Sequence, residues 1–140
     1  MSSSFVHYRM ESLSELKRDS SWPVSLLDWR VDLVMIRRFY ARFGKAVDPD
    51  GFEPYVGSPL AVVQAGDIVS LAIPLSFREG ETEIGGVATV PEQRNEGCCK
   101  ALISETAFRI LNGGKAATLT TEQGNLPMRA AAAAIGMREL

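Results

Sequence analysis

Residues 89–100 read TVPEQRNEGCCK, in which an apolar run typical of a strand meets Pro91, then an Arg-x-x-Gly turn, then the start of an amphipathic helix. Helical spacing continues downstream, and Asn112-Gly113-Gly114 provides a glycine stop. The spaced positions are Cys99, Leu102, Ile103, Thr106, Ala107, Ile110 and Leu111. The first turn of such a helix has free backbone N–H groups at the positive end of the helix dipole.

These free donors, together with Arg94, predict an anion site suited to a pyrophosphate over residues 95–100. Gly97 permits a close approach of the backbone to such a ligand. A glycine in a strand-turn-helix unit can also serve the geometry of the turn alone, so the spacing by itself leaves both interpretations open.

The residues that follow predict a second strand and a second helix. Ala116 to Thr121 is typical of a short buried strand. Asn125 is a candidate N-cap, Pro127 fits a first helical turn, the run from Ala130 to Ala134 continues the helix, and Gly136 ends it.

This order of elements, together with Ile135-Gly136-Met137, resembles the GNAT superfamily of acyl-CoA-dependent N-acetyltransferases, from about residue 60 onward. The turn pattern of that family is Arg or Gln, two residues, Gly, one residue, then Gly or Ala, and Arg94, Gly97 and Cys99 occupy it here. The resemblance implies an α/β fold with a mixed sheet, acetyl-CoA as co-substrate and no metal. It also implies an amine-bearing small molecule or peptide as acceptor.

Two residues depart from the family pattern. Cys99 stands where the family has Gly or Ala, and because cysteine is small we expect binding to survive. Ala132 stands where many members have a tyrosine that protonates the departing thiolate, which affects the chemistry more than the binding. Some branches of the family also resemble this sequence in having alanine there.

The resemblance implies that the cofactor contacts the strand before the turn, the turn itself and the start of the second helix. The implied residues are Val87, Ala88, Thr89, Arg94, Asn95, Glu96, Gly97, Cys98, Cys99, Lys100 and Asn125. In the family fold two neighbouring parallel strands splay apart, and the pantetheine arm enters the gap with strand-like hydrogen bonds. Residues 87–89 lie where those bonds would form.

Gly85-Gly86 gives the backbone the freedom for a β-bulge that would release an N–H near Val87 toward the acetyl oxygen. Such a donor would stabilise the oxyanion that develops during acyl transfer. The alternative is that the two glycines only relieve crowding in the sheet.

An amine must lose a proton before it attacks a thioester, so a base is required. Strand alternation places Glu81 and Glu83 on one face of the strand that carries Val87, and either carboxylate could accept the proton through a water. Glu83 is the nearer candidate. The alternative is a solvated glutamate at the end of a strand.

The chain has 140 residues, of which 46% are hydrophobic, which is enough for one core. We predict a single domain over residues 1–140, with an N-terminal strand and helices over 1–45, a loop over 46–59, and the sheet and cofactor-binding half over 60–140. A net charge of −2 gives no electrostatic reason to expect nucleic acid or an anionic membrane. The absence of a long apolar run leads us to expect a cytoplasmic protein.

The remaining elements follow from periodicity and turn residues. We predict a strand over Phe5 to Met10, a short helix from a capping box at Ser12 to about Asp19, and a longer helix from near Asp28 to Phe43. Leu27, Val31, Val34, Met35 and Phe39 would share the buried face of that longer helix. Leu60 to Ala65, Ile68 to Phe77 and Thr82 to Val90 predict three antiparallel strands, with Pro74 at an edge or a bulge.

Other chemistries have little support. Cys98 and Cys99 are adjacent, which disfavours a disulfide, and no histidine lies near them in the chain to activate a thiol. His7 is the only histidine and is interpreted as an ordinary strand residue, so a zinc site is not expected. Basic residues at the end of the longer helix are interpreted as complementing its dipole. The alternative is that they bind an acidic substrate or partner.

Family members normally continue past the final helix with two more strands, whereas residues 137–140 can begin only one, so the fold is expected to be truncated at its C-terminus. The strand at Ala116 to Thr121 would then have an unpaired edge. We expect either a second copy, making a homodimer, or the N-terminal segment to cover it.

The sequence therefore predicts an N-acetyltransferase that moves an acetyl group from acetyl-CoA to an amine. Two alternatives stay open, namely a non-catalytic domain that binds coenzyme A or serves protein interaction, and an ordinary α/β domain without a ligand.

Overall fold

The computed structural model describes residues 4–140, which form one seven-stranded mixed sheet and three α-helices. The strands are β1 (Phe5–Met10), β2 (Ser25–Leu26), β3 (Leu60–Gln64), β4 (Asp67–Arg78), β5 (Glu81–Thr89), β6 (Ala116–Glu122) and β7 (Arg138–Glu139). The helices are α1 (Leu33–Ala41), α2 (Cys98–Asn112) and α3 (Leu126–Ala134), and short 3₁₀ turns occupy Leu13–Glu15, Pro49–Gly51 and Pro91–Gln93. Among these helices none is long and apolar enough to cross a membrane.

The strand order in the sheet is β2-β3-β4-β5-β6-β1-β7. The pairs β2/β3, β3/β4 and β4/β5 are antiparallel, and the pair β5/β6 is parallel. β1 is antiparallel to both β6 and β7. A parallel pair inside an otherwise antiparallel sheet requires a crossover, and α2 provides it between β5 and β6. The predicted α/β class with a mixed sheet is confirmed.

The three predicted antiparallel strands are confirmed as β3, β4 and β5. Ala65 and Gly66 have φ of 52° and 81°, the left-handed pair that a tight hairpin turn requires. Pro74 lies beyond the last residue of β4 that pairs with β3, so its missing N–H interrupts no bond between these two strands.

Both faces of the central sheet are covered near β4. The consecutive residues from Ile68 to Ala72 are all buried, so both alternating sets of side chains lie in the core. Both α1 and α2 contact β4, and α2 also packs on β3, β5 and β6. The sheet is thereby held between helices at the level of the turn that precedes α2.

The predicted start of the long helix is wrong, and its predicted buried face is wrong at Val31 and Val34, whereas Leu27 and Phe39 are buried as predicted. α1 begins at Leu33 rather than near Asp28, its buried residues are Ile36 and Phe39, and Val31 and Val34 are 84% and 70% exposed. Asp28 Oδ1 accepts hydrogen bonds from the N–H groups of Arg30 (2.8 Å) and Val31 (2.9 Å). This local side-chain bonding stabilises turns in place of the first helical turn and rotates the apolar face.

The predicted extent of the short helix after Ser12 is also wrong. Only a 3₁₀ turn forms over Leu13–Glu15, and the Ser12 hydroxyl bonds to the Glu15 carboxylate (3.3 Å) without capping a backbone N–H. The chain then leaves the helical path because the N–H of Lys17 donates to the carbonyl of Ile135 (2.8 Å). A tertiary contact therefore replaces the continuation of the helix.

The edge of β6 is covered by the N-terminal strand, which was one of the two expected covers. β1 pairs with β6 over its full length, from Phe5 opposite Glu122 to Met10 opposite Ala117, and β7 then pairs with β1. The unpaired edge expected from an early C-terminus does not occur in the described part of the chain. A homodimer is consequently not needed to complete the sheet there.

Candidate active site

The parallel strands β5 and β6 separate after three residue pairs. Glu81, Thr82 and Glu83 pair with Ala116, Ala117 and Thr118, and beyond them neither strand pairs with the other although both continue. This divergence confirms the predicted splay, and it opens the sheet beside the second half of β5.

A cavity of about 480 Å³, which we call the cleft cavity, lies beside the unpaired part of β5. Its floor is the end of β5, one side is the turn before α2, and the other side is the first turn of α3. The lining residues are Phe43, Val87, Ala88, Thr89, Gln93, Arg94, Asn95, Gly97, Cys99, Asn125, Pro127 and Met128.

The turn that borders the cleft cavity leads into a helix whose first backbone donors have no partner within the helix. Gly97 is the N-cap of α2 with φ of 84°, and no side chain caps the helix. The first bond of the helix runs from the N–H of Ala101 to the carbonyl of Gly97 (3.2 Å), so the N–H groups of residues 98–100 have no partner within the helix. A helix of 15 residues starting here places the positive end of its dipole at the cavity.

Neighbouring segments hold this turn in place. The indole Nε1 of Trp22 donates to the carbonyl of Glu96 (3.0 Å), and the Nε of Arg94 donates to the carbonyl of Thr89 (3.2 Å). Asn95 adopts a left-handed φ of 67°, a conformation that asparagine tolerates better than most residues. The loop is therefore shaped before any ligand arrives.

A β-bulge interrupts β5 at the predicted place. Leu71 of β4 pairs with Ala88 and Ile73 pairs with Gly85, so two intervening residues of β5 stand opposite one residue of β4. The φ of Gly86 is 57°, which favours glycine. A Cβ on Gly85 would meet Leu75 Cδ1 at 2.5 Å, so the first glycine relieves crowding while the second forms the bulge. Both interpretations of Gly85-Gly86 thus hold, since Gly85 relieves crowding in the sheet and Gly86 provides the freedom for the bulge.

Eight of the implied cofactor-binding residues line the cleft cavity, and three do not. Those that line it are Val87, Ala88, Thr89, Arg94, Asn95, Gly97, Cys99 and Asn125. The side chain of Cys98 is buried, with Sγ 3.6 Å from the carbonyl oxygen of Gln93, and the Nζ of Lys100 pairs with Asp19 (3.1 Å). Glu96 uses its carbonyl to accept from Trp22. These three residues can meet a ligand through the backbone, but their side chains do not line the cavity.

Four lining residues were not singled out from the sequence. Gln93 belongs to the same turn, and Pro127 and Met128 belong to the first turn of α3, where the Asn125 side chain accepts from the N–H of Met128 (3.4 Å). Phe43 follows α1, more than 40 residues before the turn in sequence, and no local motif connects it to the site.

The carboxylates predicted on β5 lie in a second cavity of about 450 Å³ on the sheet face, the face cavity. Glu81 forms ion pairs with Arg9 and, at 3.6 Å, with Arg78. Glu83 accepts a hydrogen bond from the Thr120 hydroxyl (3.2 Å). The residues that line the face cavity are His7, Tyr8, Arg9, Leu75, Phe77, Arg78, Glu81, Glu83, Thr118, Thr120 and Leu140.

The two thiols near the turn are shifted away from reactivity. Burial raises the pKa of Cys99 to about 11, with a further contribution from neighbouring Cys98. Burial also raises the pKa of Cys98. Both shifts oppose the lowering that a helix N-terminus usually gives a thiol.

Comparison with known proteins supports the fold. No protein-family model matches the sequence, and no curated protein matches it significantly. Among solved structures, the chain is similar to a GNAT-family protein from Novosphingobium aromaticivorans, with a TM-score of 0.75 and 17% identity. This match covers 100% of the present chain and 61% of the other.

Two further structures show the same likeness. A GNAT-family acetyltransferase from Colwellia psychrerythraea has a TM-score of 0.74 and 12% identity, covering 99% of this chain and 53% of its own. The ribosomal-protein-S18-alanine N-acetyltransferase from Escherichia coli has a TM-score of 0.63 and 17% identity, covering 81% of this chain and 76% of its own. The chain thus spans 61% and 53% of the first two proteins, and it has the fold of the GNAT acetyltransferases.

Proposed function

We propose that this protein is an acyl-CoA-dependent N-acetyltransferase of the GNAT superfamily that acts on the amine of a small molecule or peptide. The observation that carries the proposal is the cleft cavity, which combines splayed parallel strands, a β-bulge and a helix start whose first three N–H groups have no partner within the helix. The fold of the similar acetyltransferases supports the same activity.

The turn before α2 would hold the pyrophosphate of acetyl-CoA. The N–H groups of residues 98–100 have no partner within the helix, and the guanidinium of Arg94 lines the same cavity. A Cβ added at Gly97 would have Trp22 Nε1, at 3.9 Å, as its nearest neighbour, so the turn is uncrowded there and a phosphate can approach the backbone. Acetyl-CoA supplies the activated acetyl group.

The bulge in β5 would polarise the reacting carbonyl. The pairing register leaves Gly86 and Val87 opposite one residue of β4, so the strand ladder is interrupted beside the cavity. The N–H of Val87 would donate to the acetyl oxygen, where negative charge develops on attack. Removing comparable donors in other enzymes costs about 3 kcal/mol of transition-state stabilisation.

Glu83 is the better of the two candidate bases. Glu81 is held by ion pairs with Arg9 and Arg78 that occupy its oxygens, whereas Glu83 accepts only from a neutral hydroxyl. Deprotonating a lysine-like amine at pH 7 costs about 4 to 5 kcal/mol, and a carboxylate reached through water can accept that proton.

The thiolate would leave without a tyrosine acid. Ala132 is fully buried in the core, and none of the residues that line the cleft cavity is a tyrosine. Water, or the positive end of the α2 dipole, would stabilise the departing sulfur. This same feature favours the second candidate, a non-catalytic domain that binds coenzyme A or serves protein interaction.

Calorimetry with acetyl-CoA tests the cofactor site. We expect Gly97→Val to weaken binding by at least about tenfold, because a branched side chain in the turn blocks the approach of phosphate. Gly114→Val is the matched control, since Gly114 has the same φ of 84°, open surroundings, and a place at the far end of α2. Equal affinity of the two variants would count against the pyrophosphate site.

A thiol-release assay over a panel of amines separates the enzyme from the non-catalytic alternative. Turnover with any amine supports the enzyme, and binding of acetyl-CoA without turnover supports the alternative. We expect Glu83→Gln to lower kcat by about 100-fold or more, the usual contribution of a general base. Glu79→Gln, in the exposed turn before β5, is the control.

A further inference from the structure

Three side chains on three adjacent strands form a hydrogen-bonded chain that ends on Glu83. His7 of β1 lies with Nδ1 2.9 Å from the Thr120 Oγ1 of β6, and that hydroxyl lies 3.2 Å from Glu83 Oε1 of β5. All three residues line the face cavity. His7 is the only histidine of the chain.

The sheet register explains why these residues meet. His7 is the direct partner of Thr120 across β1 and β6, while Glu83 is the partner of Thr118 in the last residue pair between β5 and β6. Thr120 comes two residues after Thr118, so it shares the same face and stands where the two strands begin to separate. Its hydroxyl therefore connects β6 to Glu83 of β5 at the point where the two strands begin to separate.

The direction of the hydrogen bonds follows from the chemistry of each group. An ionised carboxylate can only accept, so the single hydroxyl proton of Thr120 is directed at Glu83. The Thr120 oxygen is then an acceptor, and the Nδ1 of His7 must carry the proton that it receives. In a neutral ring this leaves Nε2 as the basic nitrogen.

The charged residues near this hydrogen-bonded chain pair with one another rather than with Glu83. The charged groups that face the same cavity are Arg9 on β1, Arg78 on β4 and Glu81 on β5. Both arginines pair with Glu81, and within residues 4–140 no lysine or arginine forms an ion pair with Glu83. The hydroxyl of Thr120, backed by His7, is thus the polar contact that positions the Glu83 carboxylate.

We propose that Thr120 and His7 carry away the proton that Glu83 receives from the acceptor amine, an inference that rests on the proposed function. The ammonium N–H bond breaks and a proton reaches Glu83 Oε1, directly or through a water. The exposed His7 first exchanges with water, so that Nε2 gains a proton and Nδ1 loses one. Glu83 then donates to the Thr120 oxygen, the Thr120 proton passes to the freed Nδ1, and Nε2 releases its proton to solvent. The ring is thereby returned to its resting form with the proton on Nδ1.

The net result is one proton moved from amine to bulk water, with the carboxylate, hydroxyl and neutral imidazole regenerated. A bound acceptor would shield Glu83 from water, whereas His7 is exposed and exchanges protons with solvent. Imidazole suits this task because each of its two ring nitrogens can carry or accept a proton.

The first test is the tautomer of His7, read from ¹⁵N NMR, and it needs no substrate. A single histidine gives a single set of ring signals. We expect the proton on Nδ1 in the resting neutral protein and a shift toward Nε2 in Thr120→Val. Thr118→Val, which removes a cavity hydroxyl that bonds to neither residue, is the control. A tautomer that Thr120→Val leaves unchanged would show that His7 is not coupled to the Thr120 hydroxyl and would overturn the proposal.

The second test is kinetic and separates proton transfer from a merely structural role. His7→Ala and Thr120→Val are expected to lower kcat by about tenfold with an unchanged KM for acetyl-CoA, and added imidazole is expected to restore His7→Ala but not Thr120→Val. Lost activity that imidazole does not restore in His7→Ala would overturn the proposal.

The outcomes distinguish this proposal from the proposed function. No turnover with any amine overturns both. Turnover that depends on Glu83 but is indifferent to Thr120→Val overturns the proton route alone.

Discussion

Cys99 lines the cleft cavity in the first turn of α2, a position that would ordinarily make a thiol reactive. Burial prevails instead and raises its pKa to about 11, so the neutral thiol predominates at pH 8. The residue therefore serves as a small packing group beside the turn.

We expect iodoacetamide at pH 8 to modify Cys99 far more slowly in the native protein than in the same chain unfolded in guanidinium. The rate should keep rising through pH 10, and acetyl-CoA should slow it further. Peptide mass spectrometry measures each cysteine separately. Rapid native modification at pH 8 would contradict the raised pKa of Cys99.

Ala132 is the residue where the family resemblance implies a catalytic tyrosine, yet its side chain is fully buried. Because the surrounding core is closely packed, Ala132→Tyr is expected to lower the free energy of unfolding by about 3 kcal/mol without restoring activity. Ala130→Tyr, on the exposed side of the same helix, should change it by less than about 0.5 kcal/mol. Urea unfolding measures both. A stable and more active Ala132→Tyr variant would show that this position does reach the cavity.

At the scale of elements, the segment before α1 braces the turn before α2. Trp22 donates to the carbonyl of Glu96 (3.0 Å), and Asp19 pairs with Lys100 (3.1 Å) while its N–H donates to the Ser104 hydroxyl (2.8 Å). The pKa of Asp19 is lowered, first by the Ser21 hydroxyl and also by Lys100, so the pair stays ionised at neutral pH. The turn is thus positioned by residues about 75 positions earlier in the chain.

Trp22→Phe is expected to weaken acetyl-CoA binding severalfold, because loss of one hydrogen bond of about 1 kcal/mol loosens the turn. Trp29→Phe is the matched control. It removes an equivalent bond from an indole to a backbone carbonyl, that of Gly57 (2.8 Å), away from the cleft cavity. Calorimetry compares the two, and equal affinities would show that the turn keeps its shape without the brace.

The elements that local sequence predicts well are those that local chemistry determines. β3 to β5, α2 and the Asn125 cap carry their own turn residues and periodicity, and the residues of the cleft cavity other than Phe43 lie on or beside them. α1 could not be predicted in register, since Asp28 bonds to the backbone in a way that its sequence spacing does not reveal. The His7, Thr120 and Glu83 chain depends on the pairing of β1 with β6, which brings together residues 113 positions apart.

At the scale of the whole molecule, β1 is both a structural and a functional element. It covers the edge of β6, it places Tyr8 and Met10 in the core, and it brings His7 and Arg9 to the face cavity. The N-terminal strand therefore completes the sheet that the C-terminal half begins. A second copy of the chain has no unpaired β6 edge to occupy.

We accordingly expect the 15.3 kDa chain to sediment as a monomer over a wide range of concentrations. Weakening β1 should change this, because an uncovered β6 edge presents unpaired backbone groups that attract another strand. Val6→Pro, which removes an N–H from β1 and leaves Tyr8 and Met10 unchanged, should associate with rising concentration. Arg38→Pro, in the interior of α1, would instead break that helix without uncovering this edge. Sedimentation velocity distinguishes the cases. A stable dimer of the unaltered chain would mean that a surface other than the β6 edge joins the two copies.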